Sequence, residues 1–122
     1  MSRRAAPIFS IVLTTYNRAW CIERAIASVL AQTEQRWELI IVDDGSTDAT
    51  ADILAPYMQS SDRICLLAQP NSGTGAARQT GISHARGDFV TFLDSDDEYL
   101  PDHLHVRYRY IQDFPHCDFF YG

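Results

Sequence analysis

Four times along the chain a short apolar, largely β-branched run gives way to a segment with helical spacing, and each run stops abruptly in polar residues. The runs are IFSIVLTTY (residues 8–16), WELIIVDDGS (37–46), RICLLAQ (63–69) and DFVTFLD (88–94). Near-continuous apolar strands of this kind are buried on both faces, and helices between them supply the crossovers that parallel strands need. The stretch 18–32 carries Trp20, Ile22 or Cys21, Ala25, Ile26, Val29 and Leu30 at near-helical spacing. The stretch 46–58 opens with three competing N-caps, Ser46, Thr47 and Asp48, and holds Pro56, which is expected to end or bend it. A third helix follows the turn in PNSGTGAARQTGISHA (70–85), and a fourth repeats Leu104, Tyr108 and Ile111. CDFFYG (117–122) reads as a fifth strand. The expected fold is α/β, a Rossmann-like open, mostly parallel sheet with helices on both faces.

A chain of 122 residues with 46% apolar content suffices for one domain with a real core, and not for two. The halt at FFYG reads as a cut through an element, so the chain is expected to be the N-terminal part of a longer protein. The net charge is −6 and all ten cations are arginine, a poor match to nucleic-acid backbones. Three scattered cysteines at no metal-ligand spacing suit a reducing compartment. With no leader pattern and no apolar run of bilayer length, the expected location is cytoplasmic, any membrane contact coming through parts outside this sequence.

Ligands of open parallel sheets bind beyond the carboxyl ends of the strands. Three polar clusters fall there: Thr14, Thr15, Tyr16 and Asn17 after the first strand, Asp43 and Asp44 after the second, and Asp94, Ser95, Asp96 and Asp97 after the fourth. The last is the most demanding. Asp94, Asp96, Asp97 and Glu98 repel one another unless something cationic sits among them. Magnesium and manganese prefer oxygen ligands, commonly one or two carboxylates plus the phosphates of a substrate. Asp94 and Asp96 lie two apart, so an extended chain points both the same way. The plainer reading is a strand-to-helix loop whose aspartates cap backbone amides.

The other clusters also read two ways. VDDGSTD is an Asx turn with a helix cap, or a carboxylate accepting hydrogen bonds from a base or ribose. Tyr16 is an ordinary core or surface tyrosine, or a platform for a flat base. NSGTGAAR departs from the dinucleotide fingerprint twice: Arg78 holds the third glycine position, and the motif follows the third strand. What remains is a glycine-rich turn entering a helix, with Arg78 one turn inside: either plain turn residues, Gly73 and Gly75, with Arg78 exposed, or a place suited to a diphosphate or to the acidic cluster itself. His103 and His105 do not face each other on a helix and read as no metal pair.

Taken in order, TTYNR, WELIIVDDGSTD, NSGTGAARQTG and GDFVTFLDSDDEYLPDHL resemble the nucleotide-binding half of family-2 glycosyltransferases of the GT-A fold, across residues 8–114. The resemblance implies an enzyme that transfers a sugar from a nucleotide-diphospho-sugar, uridine-linked, to an acceptor hydroxyl of a glycan, lipid or protein. It further implies inversion, Mn2+ or Mg2+ as cofactor, and a place in cell-envelope polysaccharide synthesis. By similarity Thr14 and Tyr16 contact the base, and Asp44, with Asp43 beside it, binds base or ribose. Arg78 lies near the diphosphate. Asp96 is a direct metal ligand, and Asp94 touches ribose, metal or metal-bound water. Gln79 stands where many relatives carry asparagine. The family's catalytic base comes from the second half of its domain and has no counterpart here, so no catalytic residue is named. Residues 1–122 are then one donor-nucleotide-binding domain.

Two alternatives stay open, a noncatalytic module of the same fold and a nucleotidyltransferase. The latter typically wants a basic glycine-rich loop after the first strand, and TTYNRAW has no glycine. A signalling receiver domain and a P-loop nucleotidase each need a lysine, which the chain lacks.

Overall fold

A computed structural model describes residues 7–113. Strands β1 (Phe9–Thr15), β2 (Trp37–Asp43), β3 (Ile64–Ala68) and β4 (Phe89–Asp94) form one sheet in the order β3-β2-β1-β4. Every neighbouring pair is parallel. The connections are α1 (Ile22–Leu30), α2 (Thr50–Ser60) and α3 (Thr74–Ser83), and α4 (His103–Asp113) follows β4. The expected fifth strand, with Phe119, lies outside the described residues.

The helices divide between the two faces as the alternation of strand side chains dictates. On one face Phe9, Ile11 and Leu13 of β1 and Trp37, Leu39 and Ile41 of β2 pack with Ile22, Ile26 and Val29 of α1, Leu54 of α2 and Leu104 of α4. On the other, Ile40 and Val42 pack with Ala77 of α3. All seven residues of β2 are buried, which is why its centre, residues 39–42, is continuously apolar. Helix α3 lies close on β1: a Cβ at Gly81 would fall inside the methyls of Val12.

Local chemistry moves three boundaries from those the spacing suggested. Helix α1 starts at Ile22 because Arg18–Cys21 form a turn in which the Arg18 carbonyl accepts from the amides of Cys21 and Ile22. Trp20 is left 73% exposed, and Leu30 at the far end is 41% exposed. Helix α2 starts at Thr50, since Asp48 Oδ1 accepts from the Thr50 amide (3.0 Å) while Ser46 and Thr47 bond elsewhere. Pro56 does not end α2, which runs on to Ser60. It removes one helical amide on the exposed side, and buried Leu54 keeps the helix docked.

The segment after β4 is fixed by one buried amide. Gln32 donates to the carbonyls of Ser28 (3.0 Å) and Leu100 (2.6 Å) and accepts from the Leu104 amide (2.9 Å). The acidic loop is thereby strung between β4 and a docked α4. Among the described residues no helix is long and apolar enough to cross a membrane.

Candidate functional site

The register of the sheet builds the site. Thr14 is paired with Asp94 across β1 and β4, and Thr15 with Asp43 across β1 and β2. After β3 the chain returns to the far side of β1, so the order reverses at β1, where open α/β sheets form their ligand crevice. A cleft of about 380 Å³ opens there. The β1 end supplies Thr14, Thr15, Tyr16 and Arg18; β2 supplies Asp44; α3 supplies Thr74, Ala77 and Arg78; β4 supplies Asp94, Ser95 and Asp96. The residues singled out in the sequence are brought together here, with one exception. Asp43 is buried and does not line the cleft; its Oδ1 accepts from the Ser46 amide at 3.0 Å, an Asx turn.

Asn17 sets the wall carrying Tyr16 and Arg18. Its φ is +52°, a conformation asparagine tolerates better than most side chains. Its Oδ1 accepts from the amides of Thr47 (2.7 Å) and Asp48 (3.2 Å), and its own amide donates to Ser46 Oγ (2.9 Å). The loops after β1 and β2 are thus bolted together, with Tyr16 44% exposed on one side of the bolt. Arg18, on the other side, places its guanidinium 5.9 Å from the exposed Trp20 ring.

Asp44 holds the opposite wall. Its Oδ1 accepts from Gln69 Nε2 (2.9 Å) and the Ser72 amide (2.8 Å), and its Oδ2 from the Gly73 amide (2.9 Å) and Asn71 Nδ2 (3.4 Å). That uses the full accepting capacity of a carboxylate. Burial pushes the Asp44 carboxyl up, but the bonds from Gln69, Ser72 and Gly73 outweigh it and hold the group below its ordinary value. Gly45 makes the close approach possible, with φ +81° and a would-be Cβ 2.7 Å from the Asn71 amide nitrogen. Gly73, at φ +98°, then turns the chain into α3, whose first amides have no side-chain cap.

On the β4 side, carboxylate oxygens of Asp94, Asp96 and Asp97 lie within 4.8 Å of one another, all three residues exposed. Asp97 joins because the chain turns sharply, its amide donating to the Asp94 carbonyl at 3.0 Å. The loop backbone is tied to α1 by Arg24 Nη2 on the Asp96 carbonyl (2.9 Å) and by Cys21 Sγ on the Ser95 carbonyl (3.3 Å). Arg78 Nη2 stands 3.4 Å from Asp94 Oδ1, with its guanidinium 5.3 Å from the Phe92 ring. Three convergent, solvent-open carboxylates are a donor set that fits a hard divalent cation retaining water or phosphate ligands. His103 is engaged otherwise, stacked on Tyr99 at 3.9 Å and accepting from Arg107 Nε at 3.3 Å.

The sequence profile of glycosyl transferase family 2 matches residues 10–121. The chain belongs to that family. This family-2 chain is 40% identical over 108 residues to TuaG of Bacillus subtilis, whose name refers to teichuronic acid biosynthesis; the match covers 88% of this chain and 43% of TuaG. It is 45% identical over 109 residues to the succinoglycan biosynthesis protein ExoW of Rhizobium meliloti, covering 86% and 34%. Its fold matches S. aureus TarS 1–349 in complex with UDP-GlcNAc with a TM-score of 0.76 and 32% identity, over 86% of this chain and 31% of that one. The open parallel sheet is that of the GT-A enzymes. This chain therefore spans less than half the length of these relatives.

Arg18 and Thr74 were not singled out from the sequence as site residues, and Thr15, Ser95 and Asp97 were read only as members of the strand-end clusters, with no role of their own. Arg18 was within reach, standing two residues past Tyr16 in the same loop. The part played by Asp97 depends on a turn that an extended-chain reading misses.

Proposed function

We propose that this family-2 chain is the donor-nucleotide-binding domain of a longer glycosyltransferase. It binds a nucleotide-diphospho-sugar, uridine-linked, together with Mn2+ or Mg2+, for transfer with inversion to an acceptor hydroxyl in cell-envelope polysaccharide synthesis. The observation that carries the reading is the convergence of three strand ends on one cleft with Arg78 and the acidic cluster side by side. TarS, a fold match at 32% identity, was solved with UDP-GlcNAc, which supports the choice of donor.

Tyr16 offers an exposed ring on which the base stacks, with Thr14 beside it. Asp44 orders the glycine-rich turn in the free protein, so its bond to base or ribose is made by displacing Gln69 or Asn71. Asp43 supports it from behind through the Asx turn. Asp94 and Asp96, with Asp97, would hold the cation, which when bound supplies positive charge against the diphosphate. Arg78 and the uncapped amides of α3 add charge of the same sign to that side of the cleft. None of the described residues is assigned the acceptor's proton.

The test is calorimetric titration of UDP with and without Mn2+, on wild type and Asp96→Ala. The expected result is binding strengthened by Mn2+ and weakened at least tenfold in the variant. Equal binding in the variant would take the acidic cluster out of the site. A second outcome is expected of this chain alone: donor binding without acceptor-dependent transfer.

A further inference from the structure

We infer that Arg78 and a divalent cation compete for the Asp94 carboxylate, and that a nucleoside diphosphate ends the competition by drawing Arg78 onto its phosphates. The inference rests on the donor-and-cation reading of the cleft and adds to it a coupling between the two ligands.

Asp94 is shared by two arrangements. Its Oδ1 lies 3.4 Å from Arg78 Nη2, and its carboxylate lies within 4.8 Å of those of Asp96 and Asp97. A cation among the three carboxylates meets the guanidinium on one of its own ligands, and two positive groups on one carboxylate oppose each other. The ion pair is long and half open to water, with side-chain exposures of 43% and 51%. Such pairs hold by about 0–1 kcal/mol, so this one is readily exchanged. Arg78 also has somewhere to go. It lines the 380 Å³ cleft and a neighbouring cavity of about 280 Å³. Its attachment to α3 keeps its guanidinium within one side-chain swing of either. Phosphate oxygens offer a bidentate partner stronger than a single 3.4 Å contact. Nucleotide arrival therefore frees Asp94 when the cation needs it, and the two ligands raise each other's affinity by the same factor.

The experiment reads free Mn2+ by electron paramagnetic resonance during titration, without and with saturating UDP, in wild type, Arg78→Gln and Arg24→Gln. Arg24 is the charge control: its Nη2 binds the Asp96 carbonyl at 2.9 Å, so removing it deletes the same charge without freeing a carboxylate. Arg78→Gln is expected to raise nucleotide-free Mn2+ affinity about two- to fivefold, the span of a weak surface pair. It is also expected to shrink the gain that UDP confers, while Arg24→Gln, which loosens the loop backbone at Asp96, raises no Mn2+ affinity. Unchanged or lower Mn2+ affinity in Arg78→Gln overturns the exchange, as does an equal rise in Arg24→Gln. If wild type binds no UDP, the donor reading itself falls. Wild-type UDP binding with an unresponsive Arg78→Gln removes the exchange alone.

Discussion

Asp44 shows most clearly how single residues build this cleft, because one carboxylate orders a turn 25 to 29 residues away in sequence. Asp44→Ala is expected to cost about 2–4 kcal/mol in urea unfolding, the scale for stranding amides bonded to a charged acceptor. A change below about 0.5 kcal/mol, ordinary for a surface site, would contradict it. The pH dependence has a definite sign. The folded Asp44 carboxyl lies below its ordinary value, and so does that of Glu38, where bonds from Ser10 and Arg86 overcome burial. Their stabilisation is present above the unfolded value of about 4 and is lost as pH falls through the folded one. Thermal unfolding midpoints should drop between pH 5 and 3, less steeply in Asp44→Asn. Burial pushes the Tyr99 phenol up to about 12, so its contribution has the opposite sense: intact below about pH 10 and lost as pH climbs toward 12. The sequence left Asp44 between turn and ligand site, because its partners are revealed only when β3 is laid beside β2.

Between helix and sheet the decisive contact is α3 on β1. Gly81→Ala gains about 1 kcal/mol of helix propensity, yet its methyl enters the space of Val12. The clash is expected to win, for a net loss of about 1–2 kcal/mol in chemical denaturation, given that overpacking typically costs 1–3. Adding Val12→Ala should recover part of that loss; strict additivity of the two changes would show that they do not touch. Pro56 is the reverse case, an exposed imide that interrupts α2 without ending it. Pro56→Ala should raise the unfolding midpoint by restoring a helical amide, an effect of about 1 kcal/mol after the looser unfolded chain is counted. The strands were legible because their runs are apolar on both faces. Helix starts were less so: Asp48 was one of three competing caps read for α2, and Arg18 and Asn17 act through loop hydrogen bonds that carry no periodicity.

Across the whole molecule the site is a product of strand order. Thr14, Asp44 and Asp94 meet because β1 lies between β2 and β4, and parallel pairing puts every carboxyl end on one edge. That much follows from the apolar rhythm and the polar stops. The acidic cluster was already one of two partners read for Arg78; that Asp94 is the carboxylate it meets, that Asp97 converges with Asp94 and Asp96, and that Arg18 lines the cleft all need actual distances. The chain spans less than half of its relatives, so acceptor chemistry is proposed for the longer protein and donor binding for this part. The most direct measurement is amide NMR of the ¹⁵N-labelled chain on adding UDP and Mg2+, followed by Mn2+ to broaden signals near the cation. The account predicts shifts at residues 14–18, 44 and 72–78 and broadening centred on 94–97, with the outer face of α4 at Val106 and Tyr110 unmoved. An unchanged spectrum, or changes confined to α4, would contradict it.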